Sequence, residues 1–279
     1  MDFVTCRGRL FPLRINVVTF YPAYLRWLRH MSERLGLHNA LLIWRNTFIE
    51  YDDALLMSIL SSGWHNVAAD EGKQVEDSIH ELVEELLPTR NPEFSGATAR
   101  NVIEDTPPIL QIRRLFSVNT VEKDITAYDA LHLRFDGLAY LAEALIETYG
   151  KQGELIAYDL MIEERRASSK GETGSVEQFI EKFTAKPDEA SIFTAGLEIE
   201  LISKRKREAV VHVRECEWAR YFQERHPRVG YLMACSTDEA GFKAFNRSLR
   251  LQRTRTIMEG GDTCDFRIYA VDGEPNQGE

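Results

Sequence analysis

The sequence predicts an α+β protein, a helical N-terminal region followed by a C-terminal β-β-α-α-β-β module with a small antiparallel sheet. Three observations predict it. Apolar residues recur at helical spacing in several stretches before residue 186. Beyond Pro187 the period changes to alternation, as in Gly196-Leu197-Glu198-Ile199-Glu200-Leu201, with a valine-rich run over 209–214. Glycine and proline punctuate the chain where these stretches end.

In chain order, Leu25, Leu28, Met31 and Leu35 predict a helix over 21–35, which Gly36 stops with a left-handed turn. Leu41, Leu42, Trp44, Phe48, Leu55, Leu56, Ile59 and Leu60 predict another over 38–62, ended by Gly63. Val75, Ile79, Leu82, Val83 and Leu86 predict a third over 74–87, closed by Pro88. Residues 88–125, with Pro88, Pro92, Gly96, Pro107 and Pro108, read as extended loop, so the first region is placed at 1–125. Helices follow at 127–149, stopped by Gly150, and at 152–167. Residues 168–174 are a polar loop, and Ser175 with Gln178 fits a capping box for a short helix to 185. The strands at 196–203 and 209–214 are joined by Lys204-Arg205-Lys206-Arg207, a solvated hairpin turn more readily than a binding patch. Helix is expected at 215–225 and within 228–247, broken near Asp238, and strands at 249–257 and 264–271. The second module is placed at 126–273, and the polar tail at 274–279 is expected to be disordered.

The formal net charge of -10 disfavours nucleic acid as a partner. The charge is uneven: residues 191–271 hold 14 Lys and Arg against 11 Asp and Glu, and the remainder 20 against 33. A mildly basic module suits a small anionic ligand such as a carboxylate, although charge also serves solubility. No run approaches the roughly 20 apolar residues that span a bilayer, and the first residues lack a basic and then apolar leader. The expectation is a cytoplasmic protein with no membrane partner.

Of four cysteines, Cys216, Cys235 and Cys264 cluster in the C-terminal module, with Cys6 far from them in sequence. Cys235 stands three residues before Asp238, which puts thiol and carboxylate on one side of a helical turn. The plain alternative is a packed Cys and a helix-capping Asp. Gly260-Gly261-Asp262-Thr263-Cys264-Asp265 reads as a turn entering a strand. Asp262 and Cys264 share a face only if the strand has begun by 262, and an Asp inside a strand, as at 265, is disfavoured. Cys216 sits at a strand-to-helix junction, where it lines a pocket or simply packs a helix start. His226, before Pro227, is a possible base or an exposed loop residue. Arg45 and Asp52 lie near one helical face and read as a surface pair more readily than as pocket residues, and Trp64-His65 has the same ambiguity. Cys216, Cys235, Cys264 and His226 are donors enough for zinc, but no spacing matches a zinc signature, so a divalent metal has no support from spacing; no nucleotide-binding or serine-hydrolase motif is present, and no cofactor is expected.

Glu215-Cys216-Glu217-Trp218-Ala219, Gly230-Tyr231 through Cys235 and Asp238, Phe245-Asn246, Arg253-Thr254-Arg255-Thr256 and Gly261-Asp262-Thr263-Cys264-Asp265-Phe266-Arg267 form an ordered set. Together with Ile146-Glu147-Thr148-Tyr149-Gly150, the set resembles the L-2-amino-thiazoline-4-carboxylic acid hydrolase family over roughly residues 130–270. The resemblance implies hydrolysis of a non-peptide C–N bond in a small cyclic isothiourea-like or lactam-like substrate. On that implication Cys264 is the nucleophile, supported by Cys235, and Asp238 and Asp262 carry protons. Asp265, Arg253, Arg255, Cys216 and Asn246 are the substrate-binding residues, with a guanidinium pairing the substrate carboxylate. The β-β-α-α-β-β outline also resembles the 4-vinyl reductase type of small-molecule-binding domain, which implies a sensor without catalysis. A homodimer through the N-terminal helices is a further expectation.

Overall fold

The computed structural model describes residues 10–15, 17–48, 121–168, 174–184 and 196–271. The helix expected at 74–87, the loop at 88–120, the second half of the 38–62 helix, Asp52, Trp64-His65 and the tail at 274–279 lie outside the described residues. The architecture is α+β, with helices preceding a four-stranded antiparallel sheet. Among the described residues no helix is long and apolar enough to cross a membrane.

The chain clusters into two compact units, one of Met1–Phe11, Ile125–Leu131 and Ala157–Glu279, the other of Pro12–Asp124 and His132–Ile156. In the second unit, α1 (Val17–Leu35) packs against α2 (Leu37–Phe48). Their facing stripes bury Trp27, Leu28 and Met31 on one helix and Ala40, Leu41 and Trp44 on the other. α1 begins at 17, not at 21. The chain turns left-handed at Gly36 (φ 80°) and again at Gly150 (φ 56°), between α3 (Ala127–Tyr149) and α4 (Lys151–Ser168). Two strands that the sequence reading did not contain, β1 (Leu10–Ile15) and β2 (Val121–Thr126), form a two-stranded sheet. Each is six residues long without sustained alternation, and β1 carries Pro12, which masks a strand signal.

The first unit holds the larger sheet. Its strands are β3 (Leu197–Arg205), β4 (Glu208–Cys216), β5 (Leu249–Gln252) and β6 (Cys264–Ala270), in the order β3-β4-β6-β5. On β4, alternate residues Ala209, Val211 and Val213 are buried, and Val213 and Val211 pair with Cys264 and Phe266 of β6. The core face is therefore Ala209, Val211 and Val213 with Cys264, Phe266 and Ile268. α5 (Val176–Phe183) covers it with Val176, Ile180 and Phe183, and Phe242 of α8 (Asp238–Phe245) joins them. The capping box read from sequence starts α5: Gln178 N donates to Ser175 Oγ (3.1 Å) and Ser175 N to Gln178 Oε1 (2.8 Å). The rings of Phe179 and Phe242 meet edge to face at 4.8 Å. Between β4 and β5 run α6 (Glu217–Arg225), the four-residue α7 (Gly230–Met233), a 3-10 turn (Cys235–Thr237) and α8. The break expected near Asp238 is this turn, whose last residue, Thr237, is buried and donates its hydroxyl back to Ala234 O (3.0 Å). β5 stops at Gln252, five residues short of the strand expected to 257, and that early exit leaves residues 253–263 as a long connection to β6.

Candidate active site

β5 leaves the sheet after Gln252, whose partner across the ladder is Arg267, and the chain returns only at Cys264. The connection 253–263 is built bond by bond. Asp265 accepts from Thr254 N (3.0 Å), Thr254 Oγ1 (2.5 Å) and Arg255 N (2.8 Å). Thr256 caps a 3-10 turn (Ile257–Glu259): Glu259 N donates to Thr256 Oγ1 (3.2 Å), and that hydroxyl donates to Glu259 Oε2 (2.8 Å). Gln223 Nε2 of α6 donates to Ile257 O (3.0 Å). Gly261 closes the turn on Thr256 O, where an added Cβ would stand 2.9 Å from that oxygen, so the close approach excludes a side chain. The result aims Ile257 N at Cys264 Sγ (3.2 Å).

Arg253, the first residue of the connection, points the other way, toward the broken helix. Its Nη1 donates to Asp238 Oδ2 (2.7 Å) and its Nη2 to Cys235 O (2.5 Å). The rings of Tyr231 and Phe266 flank the guanidinium at 5.7 and 5.6 Å. The pair is largely enclosed, with side-chain exposures of 13% for Arg253 and 14% for Asp238. A second guanidinium acts on Asp238 from α4. Arg165 lies over the ring of Trp218 (5.1 Å), and its Nε donates to the buried Thr237 Oγ1 (3.1 Å).

Burial raises the pKa of Asp238, and Arg165 and Arg253 pull against it without cancelling it. For Arg253, burial works against the charged form but Asp238 overrides it, and the guanidinium stays charged. The sulfurs of Cys216, Cys235 and Cys264 stand near enough that charge on one raises the pKa of another. Burial is the main cause of the rise in all three. Cys235 is pushed up to about 12, with Asp238 adding to the effect. Cys216, which caps α6 by accepting from Ala219 N (3.4 Å), is also pushed well above the usual thiol range. Cys264 alone has two counterweights to burial, the N–H of Ile257 and the guanidinium of Arg253. All three thiols rest protonated at neutral pH, and none is in a disulfide.

The fold thus gathers Cys264, Cys235, Cys216, Asp238 and Arg253. Other residues singled out in the sequence fall elsewhere. Asp262 is exposed in a bend before β6, because the strand begins only at 264, so it does not share a strand face with Cys264. Arg255 has an exposed side chain, and its N–H serves Asp265. Asn246 is buried with its amide engaged, donating to Gly174 O (2.8 Å) and accepting from Ser248 N (2.9 Å). Asp265 lies on the face of β6 opposite Cys264 and Phe266. His226, read as a base or an exposed loop residue, is fully buried at the C-cap of α6 beside Tyr221 and Phe222. Arg45 is exposed on α2. Arg165 and Thr237 were missed: Glu163-Glu164-Arg165-Arg166 reads as a solvated helix face, and only the fold turns Arg165 inward. Among the described residues, no three His, Cys, Asp or Glu side chains are grouped to hold a metal ion.

Residues 125–268 match the model of a family described as L-2-amino-thiazoline-4-carboxylic acid hydrolase, a span that contains every member of the cluster. No curated protein and no solved structure matches the chain.

Proposed function

The chain belongs to the L-2-amino-thiazoline-4-carboxylic acid hydrolase family, and from that premise we propose that it opens a small cyclic isothiourea bearing a carboxylate by hydrolysing a ring C–N bond. The observation that carries the proposal is the convergence of Cys264, Cys235, Asp238 and Arg253 inside the matched span. Arg253 engages Asp238 and the Cys235 carbonyl through one N–H on each terminal nitrogen and also bonds Tyr231, and the N–H groups left of its five are suited to the substrate carboxylate. Arg255, with its side chain in solvent, is not assigned that task.

The chemistry balances with these groups alone. The ring carbon between nitrogen and sulfur is electrophilic once the ring nitrogen is protonated. Asp238, with a raised pKa, is suited to deliver that proton. The thiol of Cys264 adds to the carbon, and its proton passes to Asp238 as the S–C bond forms. The C–N bond then breaks, and the ring nitrogen leaves as an amine carrying the proton that Asp238 returns. Water adds to the enzyme-bound carbon and expels the Cys264 thiol, leaving the carbamoyl group on the substrate sulfur. One water is consumed and one C–N bond is broken. Cys264 is assigned the attack because the N–H of Ile257 and the guanidinium of Arg253 both favour its thiolate. Cys235, with Asp238 raising its pKa, is the supporting thiol.

The test is incubation with 2-amino-thiazoline-4-carboxylate and mass spectrometry of the product. The expected product is the substrate plus one water, formed by the native chain and lost in Cys264→Ser. Undiminished turnover in both Cys264→Ser and Cys235→Ser removes the thiol step and leaves direct attack by water. No turnover of this ring, of hydantoins or of lactams, together with a small molecule retained in native mass spectrometry, replaces the enzyme by a binding module.

A further inference from the structure

We propose that Asp265 is a positioning residue that gives the site its selectivity for carboxylate-bearing substrates, by clamping the backbone next to Arg253. The inference rests on the hydrolase reading above and adds to it a residue that does not touch the substrate.

The position is unusual on its own terms. An acidic residue inside a strand is disfavoured, yet Asp265 is the second residue of β6. Alternation puts Cys264 and Phe266 on the core face, where the Phe266 ring flanks Arg253, and Asp265 on the reverse. Its carboxylate therefore points away from the thiols, and only its charge is felt there, as a small rise in the pKa of Cys264. It reaches the connection instead: Oδ1 accepts the N–H groups of Thr254 and Arg255, and Oδ2 accepts the Thr254 hydroxyl. Those loop hydrogen bonds also outweigh burial and keep the carboxyl ionised.

The clamp falls at the point where the sheet stops holding the chain. The ladder between β5 and β6 ends at Gln252 paired with Arg267. Arg253 follows immediately, and its guanidinium must arrive at Asp238 and the Cys235 carbonyl. An unclamped backbone at 254–255 would let Arg253 swing, and a guanidinium binds a carboxylate bidentately only in a narrow orientation. Asp265 thus does for the backbone what Arg253 does for the substrate.

The test compares the native chain with Asp265→Ala and Asp265→Asn. Two quantities are read: hydrogen exchange of the Thr254 and Arg255 amides, and kcat/KM for 2-amino-thiazoline-4-carboxylate and for 2-aminothiazoline, the same ring without the carboxylate. In Asp265→Ala both amides exchange faster. The kcat/KM for the carboxylated ring falls about tenfold or more, mainly through KM, as loss of a well-oriented charge-assisted contact requires. Turnover of the bare ring falls less, because there Arg253 serves only Asp238 and Cys264. Asp265→Asn keeps an acceptor for both N–H groups and restores most of the preference. An equal fall for both rings in Asp265→Ala, or exchange at Thr254 and Arg255 that matches the native chain, overturns the clamp. If the native chain opens neither ring, the hydrolase reading fails by itself. Calorimetric binding of the two rings then takes the place of kcat/KM, and equal weakening of both, or of neither, overturns the clamp.

Discussion

The two ends of one sheet treat the same task in opposite ways. Both β3–β4 and β5–β6 are antiparallel neighbours that a connection must join. At one end Lys206 and Arg207 make the turn between the closing pair Arg205 and Glu208, and every residue from Leu201 to Arg207 is exposed. Few contacts are needed there, because the strands already bring the ends together. At the other end residues 253–263 intervene. Ordering each costs about 1–2 kcal/mol of backbone entropy, and the Asp265 clamp, the Thr256–Glu259 box and the Gln223 bonds offset that cost. What the ordering secures is the guanidinium of Arg253 and the N–H of Ile257. The longer connection is thus ordered around the groups it presents, beyond what closing a hairpin needs.

Cys235, with a pKa of about 12, carries about a thousandfold less thiolate near pH 8 than an ordinary cysteine. Iodoacetamide should therefore label it slowly in the folded chain, about tenfold faster per pH unit, and at an ordinary cysteine's rate after denaturation; an ordinary rate in the folded chain would contradict the burial of this thiol. The sign for stability follows: this folded pKa lies above the unfolded value. The contribution of the protonated thiol is present below about pH 8.5 and is lost as the pH rises toward about 12.

Arg253→Ala comes next. It leaves Asp238 enclosed without its nearest cation, and we expect turnover to fall at least about a hundredfold and urea stability to fall by about 3 kcal/mol. Retention of both would show that the connection presents nothing of consequence. Thr256→Ala removes the cap of the 3-10 turn and should cost about 1 kcal/mol in the same unfolding measurement. Lys206→Ala, at the opposite turn, should change stability by less than about 0.5 kcal/mol and leave turnover as it was. A larger loss at Lys206 than at Thr256 would reverse the contrast.

Much of this architecture is legible in the sequence. The α+β class, the hairpin at 204–207, the Ser175–Gln178 box and the helix stops at Gly36 and Gly150 all follow from signals that operate over a few residues. Cys235, Cys264, Asp238 and Arg253 were readable as candidates because they fall within one ordered set of motifs. Asp262 stands in the turn because β6 starts at 264, where the sequence places it, so the motif that contains both residues does not put Asp262 on the strand face of Cys264. Asn246 and Arg255 sit within the same motifs yet serve the backbone of the fold, a distinction that the order of residues does not carry.

Apart from β1 and β2, the sequence by itself determined the types and order of the described elements, and the family, because periodicity, capping and turn chemistry are short-range and leave their pattern in neighbouring residues. The tertiary structure decided which of the marked residues meet. It turned Arg165 inward from a charged helix face, set Asp265 behind the sheet and Cys264 in front of it, and brought Arg253 to Asp238 across 15 positions. Those outcomes depend on where β5 stops and on how β4 and β6 are registered. Such long-range pairings are fixed by the packing of the whole unit and not by any one stretch of chain.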